Sequence, residues 1–194
     1  MSKKIEIEVR ILLKNRKEVE KALAQRGAIL IKYLKVKDFW YCDKNAHTYK
    51  QASIDTSGFA LRVREEKDLQ FNKTSASIDC KTLQDGKNHA ICNEYALPIL
   101  NIPQAKKILE SINLKEFLVV NKERKVYKYQ GITFYFDKIK GVGDGLEIEV
   151  MATKGTEKIK YEQLLNLVDE LNISKEEILE KSLTFIAMQN LANF

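Results

Sequence analysis

Four short stretches of the chain set charged residues two positions apart. Glu6-Ile7-Glu8 and Glu147-Ile148-Glu149 pair acids, Arg62-Val63-Arg64 pairs bases, and Lys122-Glu123-Arg124 places a lysine and an arginine at the same spacing. In a strand, residues two apart share a face and lie about 6–7 Å from one another. Like charges at that distance repel unless water, a cation or a base intervenes. Two acidic pairs brought face to face would offer oxygen ligands to a hard divalent cation such as Mg2+ or Mn2+. Arginine grips phosphate oxygens bidentately and lysine acts as a point charge, so the basic pairs suit a phosphate chain. Metal ligands together with a phosphate cradle are what phosphoryl or nucleotidyl transfer requires. Any one pair alone is explained as the solvated face of an antiparallel sheet. The set points to chemistry.

The elements that must carry these pairs follow from the alternation of apolar and polar residues. Strand character is predicted for Ile5–Arg10, for FALRVR (59–64), for NKERKVY (121–127), for GITFYFD (131–137) and for GLEIEV (145–150). Ile78–Leu83 and Ile91–Leu97 are expected to pair as a hairpin, because Asp85-Gly86-Lys87 is a turn signal. Helices are predicted from Asn15 to Arg26, with Gly27 as the stop, and from Pro103, which suits a first helical turn, with Ala105, Ile108 and Leu109 on the apolar side. Two more are expected at Tyr161–Leu171 and from Ser174 to Asn190, the latter opened by a capping box of Ser174 and Glu177. Should the sheet close on itself, its charged faces would line the interior and its apolar faces would meet the helices outside. That inverts the usual small barrel, whose interior is apolar.

Composition bounds the rest. At 194 residues one domain spanning 1–194 is expected, with 44% hydrophobic residues to build its core. No apolar run approaches the roughly 20 residues that span a bilayer. MSKKIEIEVR lacks the apolar stretch of a secretory signal, and three cysteines without metal-like spacing suit reduced thiols, so a cytoplasmic protein is expected. The net charge of +6 favours an anionic partner. The basic residues are dispersed and form no block interleaved with aromatics, which argues against nucleic acid. His47 and His89 make no catalytic pair, and Trp40 and Tyr41 read as packing residues. The pattern leaves open whether the chain is a monomer or a homodimer.

The ordered combination resembles the CYTH family of triphosphate tunnel metalloenzymes, which includes class IV adenylyl cyclases, thiamine triphosphatases and inorganic triphosphatases. The resemblance rests on Glu6-Ile7-Glu8-Val9-Arg10, Leu61-Arg62-Val63-Arg64, Asp79-Cys80-Lys81-Thr82, Lys122-Glu123-Arg124, Phe136-Asp137, KGVGDGLEIEV (140–150) and Glu180-Lys181-Ser182, placed in the last helix. It implies an α+β fold: a closed, antiparallel, eight-stranded tunnel with a charged interior, clothed in helices. It further implies that Glu6, Glu8, Asp137, Glu147 and Glu149 bind Mg2+ or Mn2+, and that Arg62, Arg64, Lys81, Lys122, Arg124 and Lys181 hold the triphosphate. Glu6, Glu8, Arg10, Glu94 and Asp137 become the catalytic candidates. Three positions depart from the family pattern. Arg10 stands for the usual lysine and is a poor base, Glu94 has fewer charged neighbours than in many relatives, and Leu183 replaces an aromatic residue.

By that resemblance the substrate is a triphosphate: tripolyphosphate, ATP or thiamine triphosphate. Attack by water would release orthophosphate, and attack by the ribose 3′-hydroxyl of ATP on its α-phosphorus would give cyclic AMP and pyrophosphate. Hydrolysis asks less of the site, needing neither a base pocket nor ribose alignment, and is the favoured reading. GVGDGLEIEV looks more like the cyclase branch. A phosphate-binding module without efficient catalysis is the further alternative.

Overall fold

The computed structural model describes residues 4–83 and 92–191. The chain forms two compact units. One comprises the chain up to Tyr33 together with Glu123–Leu183, and the other Leu34–Lys122 together with the residues from Thr184 onward.

In the first unit, β1 (Lys4–Leu13), β7 (Ile132–Ile139) and β8 (Gly143–Thr153) carry the alternation read from the sequence. β8 pairs antiparallel with both neighbours. Val9 and Ile11 of β1, Phe134 and Phe136 of β7, and Leu146 and Ile148 of β8 join one buried cluster. Val19 and Leu23 of α1 (Arg16–Gln25) and Leu164, Leu167 and Val168 of α5 (Glu157–Glu170) complete it. Because side chains alternate across a strand, packing this apolar face on helices sends Glu6, Glu8, Glu147 and Glu149 to the opposite face. Gly27, at φ 88°, ends α1 in the left-handed region that favours glycine.

The second unit repeats the scheme. β2 (Ile29–Asp43) pairs with β3 (Phe59–Asp68), β3 with β4 (Lys73–Leu83), and β4 with β5 (Cys92–Ile99), all antiparallel. Phe39, Tyr41, Leu61 and Val63 pack with Leu109 of α4 (Ile102–Ser111), leaving Asp38, Arg62 and Arg64 on the other face. Asn101 caps α4 by accepting from the Gln104 N–H at 2.9 Å, and Pro103 stands in its first turn. Two single-turn helices, α2 (Tyr49–Ala52) and α3 (Ile54–Ser57), link β2 to β3.

Several expectations are corrected. Among the described residues the sheet has nine strands, not eight, in the hydrogen-bonded order β5-β4-β3-β2-β6-β7-β8-β1-β9, where β6 is Leu114–Tyr129 and β9 is Ile178–Leu179, and its end strands β5 and β9 are not neighbours in that order. β9 is a two-residue strand laid on β1 alone, and β5 pairs only with β4 among the described residues. Proline has no N–H for a ladder and belongs on sheet edges, as Pro98 does in β5. Ile108 is 52% exposed, so of the three residues expected on the apolar side of α4 Ala105 and Leu109 are buried and Ile108 is not.

The capping box at Ser174 does not open a long helix. Ser174 Oγ accepts from the Glu176 N–H at 3.3 Å and caps only a 3-10 turn, Lys175–Glu177, while the Glu177 carboxylate accepts from the Lys14 N–H at 2.9 Å instead of turning back. The final helix, α6, is Leu183–Leu191, so Glu180-Lys181-Ser182 precede it. The hairpin pair β4/β5 is present, whereas its turn at 85–87 and His89 lie outside the described residues. His47 is exposed, as expected. No helix among the described residues is long and apolar enough to cross a membrane.

Candidate active site

The register of β1 on β8 decides which acids meet. Glu8 lies opposite Glu149, and Arg10 opposite Glu147. Glu6, Glu8 and Glu149 each offer a carboxylate oxygen within 4.8 Å of the other two, and all three side chains are half-buried. Burial pushes Glu149 up to about 7, helped by the negative charges of Glu6 and Glu147 and opposed by Arg124. The Tyr135 hydroxyl hydrogen-bonds with Glu149, and burial beside that carboxylate raises the phenol's own pKa. Arg10 forms an ion pair with Glu8. An arginine does not surrender its proton, so here it acts as a counter-charge and not as a base.

Arg124 organises the two acids that stay outside the trio. Its guanidinium grips Asp137 bidentately, with both bonds at 2.6 Å, and donates to Glu147 at 3.1 Å. It also lies over the Tyr135 ring, 4.5 Å from the centroid. Asp137 and Arg124 are both buried, and a buried charge pair of this kind is sustained by full hydrogen bonding. Of the five residues expected on a metal, the structure therefore gathers Glu6, Glu8 and Glu149 and ties Asp137 and Glu147 to Arg124.

In the second unit the cations converge on an acid that the sequence reading did not single out. Asp38, 2% exposed, accepts two hydrogen bonds from Arg64 at 2.6 and 2.8 Å, with Arg62 and Lys122 at 3.8 and 3.9 Å. Burial alone would raise the Asp38 pKa, but Arg62, Arg64 and Lys122 outweigh it and hold the carboxyl well below the usual carboxylate range. Arg62 also donates to Asp79 at 3.0 Å and lies over the Trp40 ring. Lys81 sits opposite Glu94 on β5 and pairs with it, Glu94 being exposed. Lys181 is exposed in the segment before α6. The one signal that would have found Asp38 is an acid directly beside an aromatic run, DFWYCD (38–43), since an acid buried among such residues needs a basic partner.

The donor set can be tested against a metal. Three half-buried carboxylates within 4.8 Å supply oxygen only, and burial, helped by the negative charges of Glu6 and Glu147, shifts Glu149 toward neutrality. Hard divalent cations take such ligands, and Mg2+ or Mn2+ fits this trio.

The architecture has counterparts among known proteins. The CYTH domain model matches residues 4–183, and the chain belongs to the CYTH family. A curated relative from Methanocaldococcus jannaschii, named "Putative adenylate cyclase MJ0240", is 25% identical over 181 residues, covering 92% of this chain and 95% of its own. The PH1819 protein of Pyrococcus horikoshii has a similar structure, with a TM-score of 0.78, 18% identity, and coverage of 95% of this chain and 98% of that one. HpAC1 of Hippeastrum, for which a dominant triphosphatase activity is stated, superposes with a TM-score of 0.63 at 17% identity, covering 96% of each chain.

Proposed function

We propose that this chain is a divalent-metal-dependent triphosphatase acting on tripolyphosphate or on a nucleoside or other organic triphosphate. The observation that carries the reading is the Glu6–Glu8–Glu149 trio, because three converging carboxylates, of which Glu8 has Arg10 as a counter-charge, offer oxygen ligands that a divalent cation would relieve of their mutual repulsion. Glu6, Glu8 and Glu149 would hold Mg2+ or Mn2+, which when bound neutralises phosphate charge and lowers the pKa of coordinated water. Arg62, Arg64 and Lys122 bind the phosphate chain, and Asp38 holds them in position before substrate arrives. Preorganised cations lose little freedom on binding and so favour the transition state. Arg124, also expected on the phosphate, grips Asp137 and Glu147. Water adds to the terminal phosphorus and gives up a proton to solvent, the bond to the bridging oxygen breaks, that oxygen leaves with the diphosphate end of the substrate, and the terminal phosphoryl group is released as orthophosphate.

A second reading, adenylyl cyclase, is favoured by the name of the Methanocaldococcus relative. In that case the 3′-hydroxyl of ATP is the nucleophile and pyrophosphate the leaving group. One experiment separates the two. The purified protein is incubated with tripolyphosphate, ATP and thiamine triphosphate, with Mg2+ or Mn2+ and with chelator, and products are resolved by chromatography. Metal-dependent orthophosphate supports the triphosphatase, and cyclic AMP with pyrophosphate supports the cyclase. Tight tripolyphosphate binding without turnover would reject both in favour of a binding module.

A further inference from the structure

Trp40 is the only tryptophan of the chain and lies on β2 two residues beyond Asp38, on the same face. It is 6% exposed, and among the described residues its indole Nε1–H finds no hydrogen-bond partner. Buried donors are nearly always satisfied, so one left over asks for an explanation. Packing does not supply it, since a phenylalanine ring fills most of that space without bringing an N–H that needs a partner.

The surroundings say what the donor is suited to. In the β2–β3 register Trp40 stands opposite Arg62, whose guanidinium lies 5.3 Å from the indole centroid. Asp38 is already shared among Arg64, Arg62 and Lys122, and Asp79 accepts from Arg62. An N–H beside Arg62, on the strand face whose Asp38 also gathers Arg64 and Lys122, lies in a field that draws an anionic acceptor. It also carries no charge of its own and points in a direction fixed by a rigid ring, so it can add one more directional contact to a phosphate chain held by the cations.

Building on the triphosphate reading of this face, we propose that the Trp40 Nε1–H donates a hydrogen bond to a phosphate oxygen of the bound triphosphate. Trp40 is thereby a ligand-binding residue of the cationic cluster and not only a packing residue.

The test uses the full chain labelled with 15N, whose one tryptophan gives one indole resonance. Tripolyphosphate is titrated first with chelator and then with Mg2+, and binding is followed in parallel by calorimetry. The expected result is a downfield shift of the indole proton and slower exchange with water, saturating at the calorimetric stoichiometry. W40F should melt no lower than the wild type and bind tripolyphosphate about tenfold more weakly, the loss of one charge-assisted hydrogen bond. Binding with an unmoved indole resonance, or a W40F affinity equal to the wild type, overturns the proposal and leaves the triphosphate reading standing. No binding by the wild type under either condition overturns both. If W40F does not fold, the wild-type resonance decides alone.

Discussion

Replacing Asp38 with Asn tests the central claim about the second unit. The substitution keeps the shape and removes one negative charge that is 2% exposed. Arg64 loses a bidentate partner, and Arg62 and Lys122 lose their nearest compensation at 3.8 and 3.9 Å. At an effective dielectric of about 20, each of those separations corresponds to about 4 kcal/mol of attraction, against a desolvation cost of several kcal/mol for the buried carboxylate. Breaking a buried pair by deleting one partner costs about 3–5 kcal/mol, and the lower end applies because the Arg62 side chain keeps 17% of its exposure to water. At about 2–4 °C per kcal/mol for a chain of this size, D38N should melt about 6–12 °C below the wild type.

The pH dependence has a definite sign. Asp38 has a depressed folded pKa, so its stabilisation is present above the unfolded value near about 4 and is lost as pH falls through the lower folded value. The gap between D38N and wild type is therefore full at neutral pH and narrows only in strong acid. Tripolyphosphate returns negative charge to the same cations and should raise the melting temperature of D38N more than that of the wild type. Calorimetric melting with and without tripolyphosphate reads both effects. A drop of less than about 2 °C at neutral pH would refute Asp38 as the counter-charge that assembles the cluster.

E149Q should lose Mn2+ binding in calorimetric titrations without losing stability above neutral pH. Glu149 has a raised folded pKa, so protonation favours the folded chain and its ionised form is the less stable one. For the same reason wild-type Mn2+ affinity should climb as pH rises through about 7, and the climb should flatten in E149Q; equal affinity in the two proteins would remove Glu149 from the metal set. G145A would bring a Cβ within 2.5 Å of Leu183 Cδ1, at an expected cost of about 1–3 kcal/mol in urea unfolding. That cost should shrink when combined with L183A, whereas strictly additive effects would show that the two do not compete for space. L164A empties a fully buried position of the helix–sheet core and should cost about 2–5 kcal/mol by the same assay, with a smaller loss marking a site that collapses to fill the gap.

Period-two alternation made β1, β7 and β8 legible, because each must satisfy the core with one set of side chains and the charged face with the other. It was not followed in β2. Leu34-Lys35-Val36-Lys37 alternates, but Ile29-Leu30-Ile31 and Phe39-Trp40-Tyr41 on either side are apolar on both faces, and a fifteen-residue strand was therefore not anticipated. Missing β2 meant missing Asp38, whose role exists only once the register sets it opposite Arg64. The acidic residues were legible as pairs, but their division was not. Which of the five joins the trio depends on the reach of Arg124 from a third strand, and no spacing along one strand encodes that. The capping box at Ser174 failed for a similar reason, since the Lys14 N–H claims the glutamate.

Ile148 lies fully buried between Glu147 and Glu149. The same few residues of β8 thus belong alternately to the hydrophobic core and to the acidic cluster, and inserting or deleting one of them would exchange the two sets along the strand beyond it. Fold and chemistry would be lost together in one mutational step. Evolution can therefore alter this strand by substitution, or by paired length changes that restore the phase, but not by single-residue indels.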